Sequence, residues 1–507
     1  MSLGKALAQG HGFSLINLPG SPPESKYPFL YPAVLSVLWT MMPSFPANVI
    51  LFQLFSALCS GLSLTLAAMF MTRLGFVSAR AAYAAALVCA SAPYQAFVGS
   101  LVMSDMAFTV AFVGALWWLQ DSYLKEQAIM AEDHRKKASF GRQFFGGIVL
   151  ALPYLVRSIG LSVLVAGWGW LLLRRRANRW LALGTAVVVV PWLSWVWYCH
   201  RVVARSAVLT YYNDYFGWWR THTQAYFSEI ARVNILSSSL SLGKLPLEGL
   251  WTLLGAGQGS SIIVLFYTAF GFVLWLCTII QLRNKPVIAW CLGLYAVMFL
   301  VWPWPPARFL VPLFVFCLAF FLEALLRLTP LGATKPFWNS VAAGCAAIVI
   351  AANLALLWQY HELTAQTGYP YAAMPIRAVQ WHSYIAVADW LRNNLKPNDH
   401  LAADADSLIY LYSGIKCARP FSTDPLALLY GSKTAPVGTP QQLAATLDDN
   451  KITYLAYVPL VDNPEEAAWG ELIAQLVRQY PGRAKVVYTE PDPRFLVLQW
   501  TPRVNVN

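Results

Sequence analysis

The sequence predicts a polytopic α-helical membrane protein of about ten spans, followed by a water-facing α/β domain. Three observations carry this. The 507 residues are 58% hydrophobic and 12% charged, with mean hydropathy +0.50, where soluble domains run at about 25% charged. Apolar stretches of bilayer length recur down to residue 358. The net charge of +12 is uneven, with its whole excess in residues 1–376 and near balance after them.

A bilayer core takes about 20 apolar residues. Segments of that kind fall at 47–72, 81–98, 103–123, 180–200, 260–282, 287–303, 308–327 and 337–358. Two shorter runs, 143–156 and 160–173, flank Arg157 and read as a tight, bent pair. Residues 30–42 are apolar but short, so they lie at the interface or begin the next span. The 22 Trp, 24 Tyr and 27 Phe suit aromatic belts at two interfaces.

Charge tests this order. With 73–80 cytoplasmic, strict alternation puts five short loops inside, at 73–80, 125–142, 174–179, 283–285 and 327–335. These loops hold 15 Lys and Arg, and the outer segments hold far fewer per residue. The positive-inside rule is obeyed at every loop. That explains the basic excess as topology, and nucleic acid is not implied. Three regions follow: an outer N-terminal segment with an interfacial helix over 1–46, a transmembrane domain over 47–360, and an outer domain over 361–507. The transmembrane domain carries an outer loop at 201–258. Its aromatic stretch LTYYNDYFGWWRTHTQAYF is expected to rest on the membrane surface.

The last region reads differently. A helix at about 380–395 is stopped by Lys396-Pro397. Then come a strand (HLAAD), a helix after Thr439-Pro440, a strand (ITYLAYV), a helix near 465–480 and two strands (AKVVYTE, RFLVLQW). Alternating helices and short apolar strands predict an α/β domain with a small sheet. No glycine fingerprint opens these helices, so nucleotide binding is not expected there.

Cysteine chemistry is not indicated. Six of the eight Cys lie inside apolar spans, Cys199 ends one, and only Cys417 lies in the outer domain. Neither metal spacing nor a disulfide framework results. The first 28 residues are polar and Gly/Pro-rich, with no signal peptide. No Ser-His-Asp pattern, HExxH or phosphate-cradling loop is found.

Ionisable residues inside spans are costly and mark function. Asp121 and Glu323 sit at cytoplasmic ends, where they reach water or a basic neighbour. Asp105, Arg157 and Arg308 all fall at outer ends, and Lys26 and Tyr27 precede the first apolar run on the same face. One acid and two bases at one membrane face predict a shared outward-facing polar site, and Lys26 there either binds an anionic lipid headgroup as a point charge or is an ordinary interfacial lysine. Snorkelling of each side chain to the interface is the plainer alternative.

The order of KYPFLYPAVLSVLW, SLVMSDMAFTVAF, ALPYLVRSIGLSVLVAG and WPWPPARFLVPLF, then an outer α/β domain, resembles a known family. It is similar to GT-C fold glycosyltransferases of the dolichyl-phosphate-mannose and aminoarabinose transferase type, over most of the membrane part. The resemblance implies a sugar donor on a polyprenyl phosphate, an active site at the outer face of the plasma (inner) membrane, and inversion at the sugar carbon. The acceptor would be a glycan, a lipid or a protein. Lys26 matches a phosphate-binding lysine, Asp105 the acid of the third family span, and Arg157 and Arg308 the R-x-x-G and R-[FY]-L positions. Cations then stabilise the leaving phosphate, and a carboxylate removes or orients the acceptor proton. A divalent metal fits this chemistry, though no ligand cluster in the sequence demands one.

The chain departs from the family at its start. Family members open with a transmembrane helix and an acidic motif in the first outer loop. Here the sequence begins at SLGKALAQGHGF, and nothing acidic precedes Glu24. An N-terminally incomplete chain is the expectation, with Glu24 a poor substitute in position for the family acid. Two other readings remain open: a transporter or flippase of a lipid-linked substrate, and a non-catalytic membrane scaffold. A transporter predicts internal repeats and charges at the midplane, and neither is seen.

Overall fold

The computed structural model describes residues 1–131, 140–203, 217, 219–220, 227–255, 261–304, 306–328, 335–368, 378–396, 399–420, 438–459 and 464–503. Pro397, expected to stop a helix, and most of 201–226 lie outside the described residues.

The membrane part runs through α1 (Ser2–Ala8), α2 (Leu30–Met41), α3 (Val49–Arg73), α4 (Ala79–Ser91), α5 (Pro93–Ser100), α6 (Asp105–Ala131) and α7 (Phe140–Val156). It continues with α8 (Leu161–Leu173), α9 (Arg179–Val202), α10 (Phe227–Leu253), α11 (Ser261–Leu282), α12 (Pro286–Leu300), α13 (Ala307–Leu328) and α14 (Lys335–Thr367). Among the described residues, α3, α9, α11, α13 and part of α14 are long and apolar enough to cross a bilayer. The outer surfaces of the bundle are apolar, with Leu58, Ile262 and Leu265 each at least 70% exposed. Such surface needs lipid around it. The chain is a multi-pass membrane protein.

The expected span 81–98 is broken, because α4 and α5 meet at a 65° bend. The cause is local: Pro93 opens α5, and Ala92 before it is extended at φ −64°, ψ 126°. The pair flanking Arg157 is bent as expected. α7 ends at Val156, Arg157 is extended, and a 3₁₀ turn at Ser158–Gly160 leads into α8. A Cβ on Gly160 would lie 2.2 Å from the Pro153 carbonyl carbon, so this turn requires glycine.

Residues 227–253, expected within a loop on the membrane surface, instead form α10, packed along α11 and into the bundle. Small residues let the two backbones touch. A Cβ on Gly243 would meet the Tyr267 carbonyl at 1.9 Å, and one on Gly271 the Ser239 carbonyl at 1.7 Å. The aromatic stretch before α10 masked this helix, whose own polar serines pair with backbone carbonyls inside it.

The C-terminal domain holds a five-stranded sheet of order β2-β1-β3-β5-β4. Its strands are β1 (Leu401–Ala403), β2 (Cys417–Ala418), β3 (Tyr454–Tyr457), β4 (Ala484–Thr489) and β5 (Leu496–Trp500). β1 runs parallel to β2 and β3, while β5 is antiparallel to β3 and β4, with Leu455 opposite Leu498. The helices are α15 (Ala378–Asn394), α16 (Asp406–Ser413), α17 (Pro440–Asp449) and α18 (Pro464–Gln479). Thr439 and Gln442 form a capping box at α17, where the Thr-Pro signal placed a helix start. α16 and the two-residue β2 were not foreseen, since neither is long enough to show a period.

Residues 13–24 form a closed hairpin between these two parts. Leu15 N–H donates to Pro22 O at 2.8 Å and Glu24 N–H to Phe13 O at 3.0 Å. Phe13, Leu15 and Leu18 of the hairpin pack with Leu3, Trp192 of α9 and Ala418 of β2 in one apolar cluster. Membrane helices, N-terminal segment and sheet therefore share a core, and that junction positions the site.

Candidate functional site

Three sequence-distant elements deliver one acid and two guanidiniums. Asp105 is the first residue of α6, where a carboxylate complements the helix N-terminus. Arg157 is delivered by the break between α7 and α8, and Arg308 by the first turn of α13. Asp105 Oδ1 pairs with Arg157 Nη1, and Asp105 Oδ2 accepts from Arg308 Nη2 at 2.7 Å. The Asp105 side chain is 1% exposed, that of Arg157 16% and that of Arg308 41%. One negative and two positive charges leave the cluster with net positive charge and one partly open cation.

Aromatic rings set the guanidiniums. Arg157 lies 4.9 Å from the Phe309 ring centre, a cation–π distance. Tyr27 and Tyr94 lie within electrostatic reach of Arg308. Arg308 Nε is buried and makes no hydrogen bond among the described residues. A buried guanidinium donor left unpaired costs free energy, and an anion brought to this spot would satisfy it.

Lys26 and Tyr27 join through the backbone. The Ser158 hydroxyl donates to Lys26 O at 3.3 Å, one residue from Arg157. Tyr27 is 47% exposed, and Lys26 Nζ lies 5.2 Å from its ring centre. Lys26 itself is only 9% exposed. Its ammonium sits in the field of Glu24, Arg419 and Asp406. The structure thus brings Asp105, Arg157 and Arg308 into direct contact and sets Lys26 beside them, with its ammonium toward the C-terminal domain.

Glu24 is fully buried and holds this loop. Its Oε1 accepts from the Lys26 and Tyr27 backbone N–H groups, and its carbonyl accepts from Trp195 Nε1 at 2.8 Å. Burial raises its carboxyl to about 7, opposed by those N–H groups and the Lys26 charge. Asp406, Asn17 and Arg419 were missed by sequence reasoning. Asn17 lies 389 residues before Asp406, with Arg419 beyond it, so no spacing signals them. No cluster of three or more His, Cys, Asp or Glu side chains forms among the described residues.

An apolar cavity of about 870 Å³ opens between α10, α11, α12 and α13. Ile235, Trp275, Leu300 and Phe316 line it, and it reaches Arg283 at the far end of α11. Leu300 stands at its other end, where Asn234 Nδ2 binds the Leu300 and Trp302 carbonyls six to eight residues before Arg308.

No protein-family model matches the chain, and no curated protein matches it in sequence. Among solved structures it is similar to ArnT from Cupriavidus metallidurans bound to undecaprenyl phosphate. That likeness has TM-score 0.52 at 14% identity, over 98% of this chain and 92% of that one. The apo state of the same protein gives 0.49 at 14%, over 98% and 91%. The apo Archaeoglobus fulgidus oligosaccharyltransferase gives 0.49 at 13%, over 99% and 70%. The first likeness shows a shared fold, and the GT-C architecture expected from the motifs is the architecture of this chain.

Proposed function

We propose that this chain is a glycosyltransferase that moves a sugar from a polyprenyl-phosphate donor to an acceptor hydroxyl or amine at the outer face of the plasma membrane. The observation that carries the reading is the Asp105–Arg157–Arg308 cluster, net positive and with an unpaired buried Arg308 donor. ArnT, which shares the fold, was solved with undecaprenyl phosphate, and this supports an anionic lipid here. The apolar cavity beside α12 suits a prenyl chain.

In the proposed reaction the acceptor oxygen or nitrogen attacks the sugar carbon as its bond to phosphate oxygen breaks. The bonding pair leaves on the phosphate oxygen, and the proton lost by the acceptor is taken up by that leaving phosphate, directly or through water. Arg157 and Arg308 hold the phosphate and stabilise the charge that grows on it. Lys26 is the third cation, and its ammonium, turned toward the C-terminal domain, would meet the phosphate from that side. The expectation that Asp105 handles the acceptor proton gives way to a positioning role, because both its oxygens hold guanidiniums and it is 1% exposed. A divalent metal would find no group of three or more His, Cys, Asp or Glu side chains among the described residues.

The test is turnover of purified protein with polyprenyl-phosphate sugars, reading release of polyprenyl phosphate and glycosylated product. Release that falls about 100-fold or more in Arg308→Ala supports the reading. Folded protein that neither binds nor cleaves any such donor overturns it.

A further inference from the structure

We infer that Asp406 of the C-terminal domain is a positioning residue for the lysine loop, and that holding this loop in place is a function of that domain. This rests on the reading of Lys26 as a donor-phosphate ligand, and it begins from a continuous chain of contacts. Asp406 opens α16 and is buried. Its Oδ2 accepts from Asn17 Nδ2 at 2.7 Å, a buried bond between residues 389 apart. Asn17 lies at the tip of the 13–24 hairpin and is fully buried. Beside it, Cys417 N–H of β2 donates to Asn17 O at 2.8 Å, and Cys417 Sγ donates to Asp406 O at 3.0 Å. Lys416 Nζ donates to Ser21 Oγ at 2.8 Å.

The base of the same hairpin grips the site. Glu24 closes the hairpin, takes the Lys26 and Tyr27 N–H groups, and is pinned to α9 through Trp195. Lys26 O then meets Ser158 next to Arg157. Tip and base belong to one short hydrogen-bonded ribbon. A shift of its tip therefore moves Lys26 relative to the guanidiniums.

A loop hinged only by water-exposed contacts opens readily, whereas a buried hydrogen bond to a charged acceptor resists opening. The net charge of the C-terminal domain is near zero, so attraction of the donor phosphate is not its evident contribution. Its buried Asp406 is turned on Asn17, and its Arg419 lies on the Trp469 ring at 4.8 Å.

The experiment uses the full chain in detergent and two readouts. The first is amide hydrogen exchange of peptides spanning 13–28, which needs no activity. The second is the donor KM and kcat of the transferase assay. Asp406→Leu is expected to speed exchange at 13–28 about tenfold or more, the equivalent of one hydrogen bond to a charged group. Donor KM should rise by a similar factor while kcat changes about twofold or less. Asp406→Asn keeps an acceptor and should stay near wild type. Asn17→Asp combined with Asp406→Asn rebuilds the amide–carboxylate pair in reverse and should restore what Asn17→Asp alone loses. Unchanged exchange at 13–28 in Asp406→Leu overturns the inference. If that variant also unfolds the sheet, Asn17→Ala removes the same bond from the other side, and unchanged exchange there overturns it equally. A wild type without transferase activity sinks the reading of function, while the exchange arm still decides the positioning.

Discussion

At the scale of single residues, the site is a problem of charge held where water is scarce. Asp105 neutralises one of two guanidiniums and fixes the direction of both. Asp105→Asn leaves two clustered cations without a counter-charge. It is expected to lower thermal stability and to cut transfer about 100-fold, read from melting and turnover together. Arg308→Lys should not rescue Arg308→Ala, because an ammonium cannot serve both Asp105 and a phosphate as a planar fork does. Lys26 adds a pH dependence. Burial lowers its ammonium from 10.5 to about 7, while Glu24 pulls it up and Arg419 adds to the lowering. In the proposed reaction it is the charged form that binds phosphate, so donor KM should rise as pH climbs from about 6 to about 8. Glu24→Gln removes the upward pull and should move that transition to lower pH. A KM flat across this range would remove Lys26 from phosphate binding. For stability the signs are opposite in the two partners. The depressed Lys26 value loses stability as pH falls from 10.5 through about 7, and the raised Glu24 value loses it as pH rises from 4.5 through about 7.

At the scale of elements, breaks in helices do the positioning. Arg157 reaches Asp105 because α7 stops at Val156 and a 3₁₀ turn follows. Gly160→Ala would drive a Cβ to 2.2 Å from Pro153. The turn must open to relieve it, and a stability loss of about 1–3 kcal/mol is expected, with a larger loss of transfer because Arg157 moves. α10 and α11 depend on contact between backbones. Gly271→Ala places a Cβ 1.7 Å from Ser239 O and is expected to cost about 1–3 kcal/mol in melting experiments. Gly271 meets Ser239 and none of the Asp105 cluster, so kcat of the surviving folded protein should stay near wild type. A Gly271→Ala protein as stable as the parent would mean that α10 does not pack on α11 in the membrane.

At the scale of the molecule, the arrangement requires that the sheet and the Asp105 cluster share one side of the bilayer. The positive-inside count assigns that side to the outside. In a background lacking the natural cysteines, Lys451→Cys on the exposed surface of the C-terminal domain should react with a membrane-impermeant maleimide in intact cells. Arg175→Cys, in the exposed turn after α8, should react only after the membrane is opened. The reverse pattern would invert the topology and move the site to the cytoplasmic face.

The sequence by itself determined what depends on short-range chemistry: apolar length, charge asymmetry and punctuation by Pro, Gly and Thr-Pro. The bent pair around Arg157, the helix at Pro440 and most strands were legible for that reason, as were Asp105, Arg157 and Arg308, whose ionisable side chains stand out against apolar runs. Tertiary structure decided the rest. The fold of α10 into the bundle depends on glycines meeting carbonyls of another helix, which no local pattern encodes. The bend at Ala92–Pro93 shortens an apolar run that looked continuous. The pairing of Asp105 with two guanidiniums 52 and 203 residues further along the chain is likewise set by packing. The Asn17–Asp406 bond joins residues 389 apart, and only packing brings them together, because a hydrogen bond needs an approach of about 3 Å and sequence fixes no distance between remote residues.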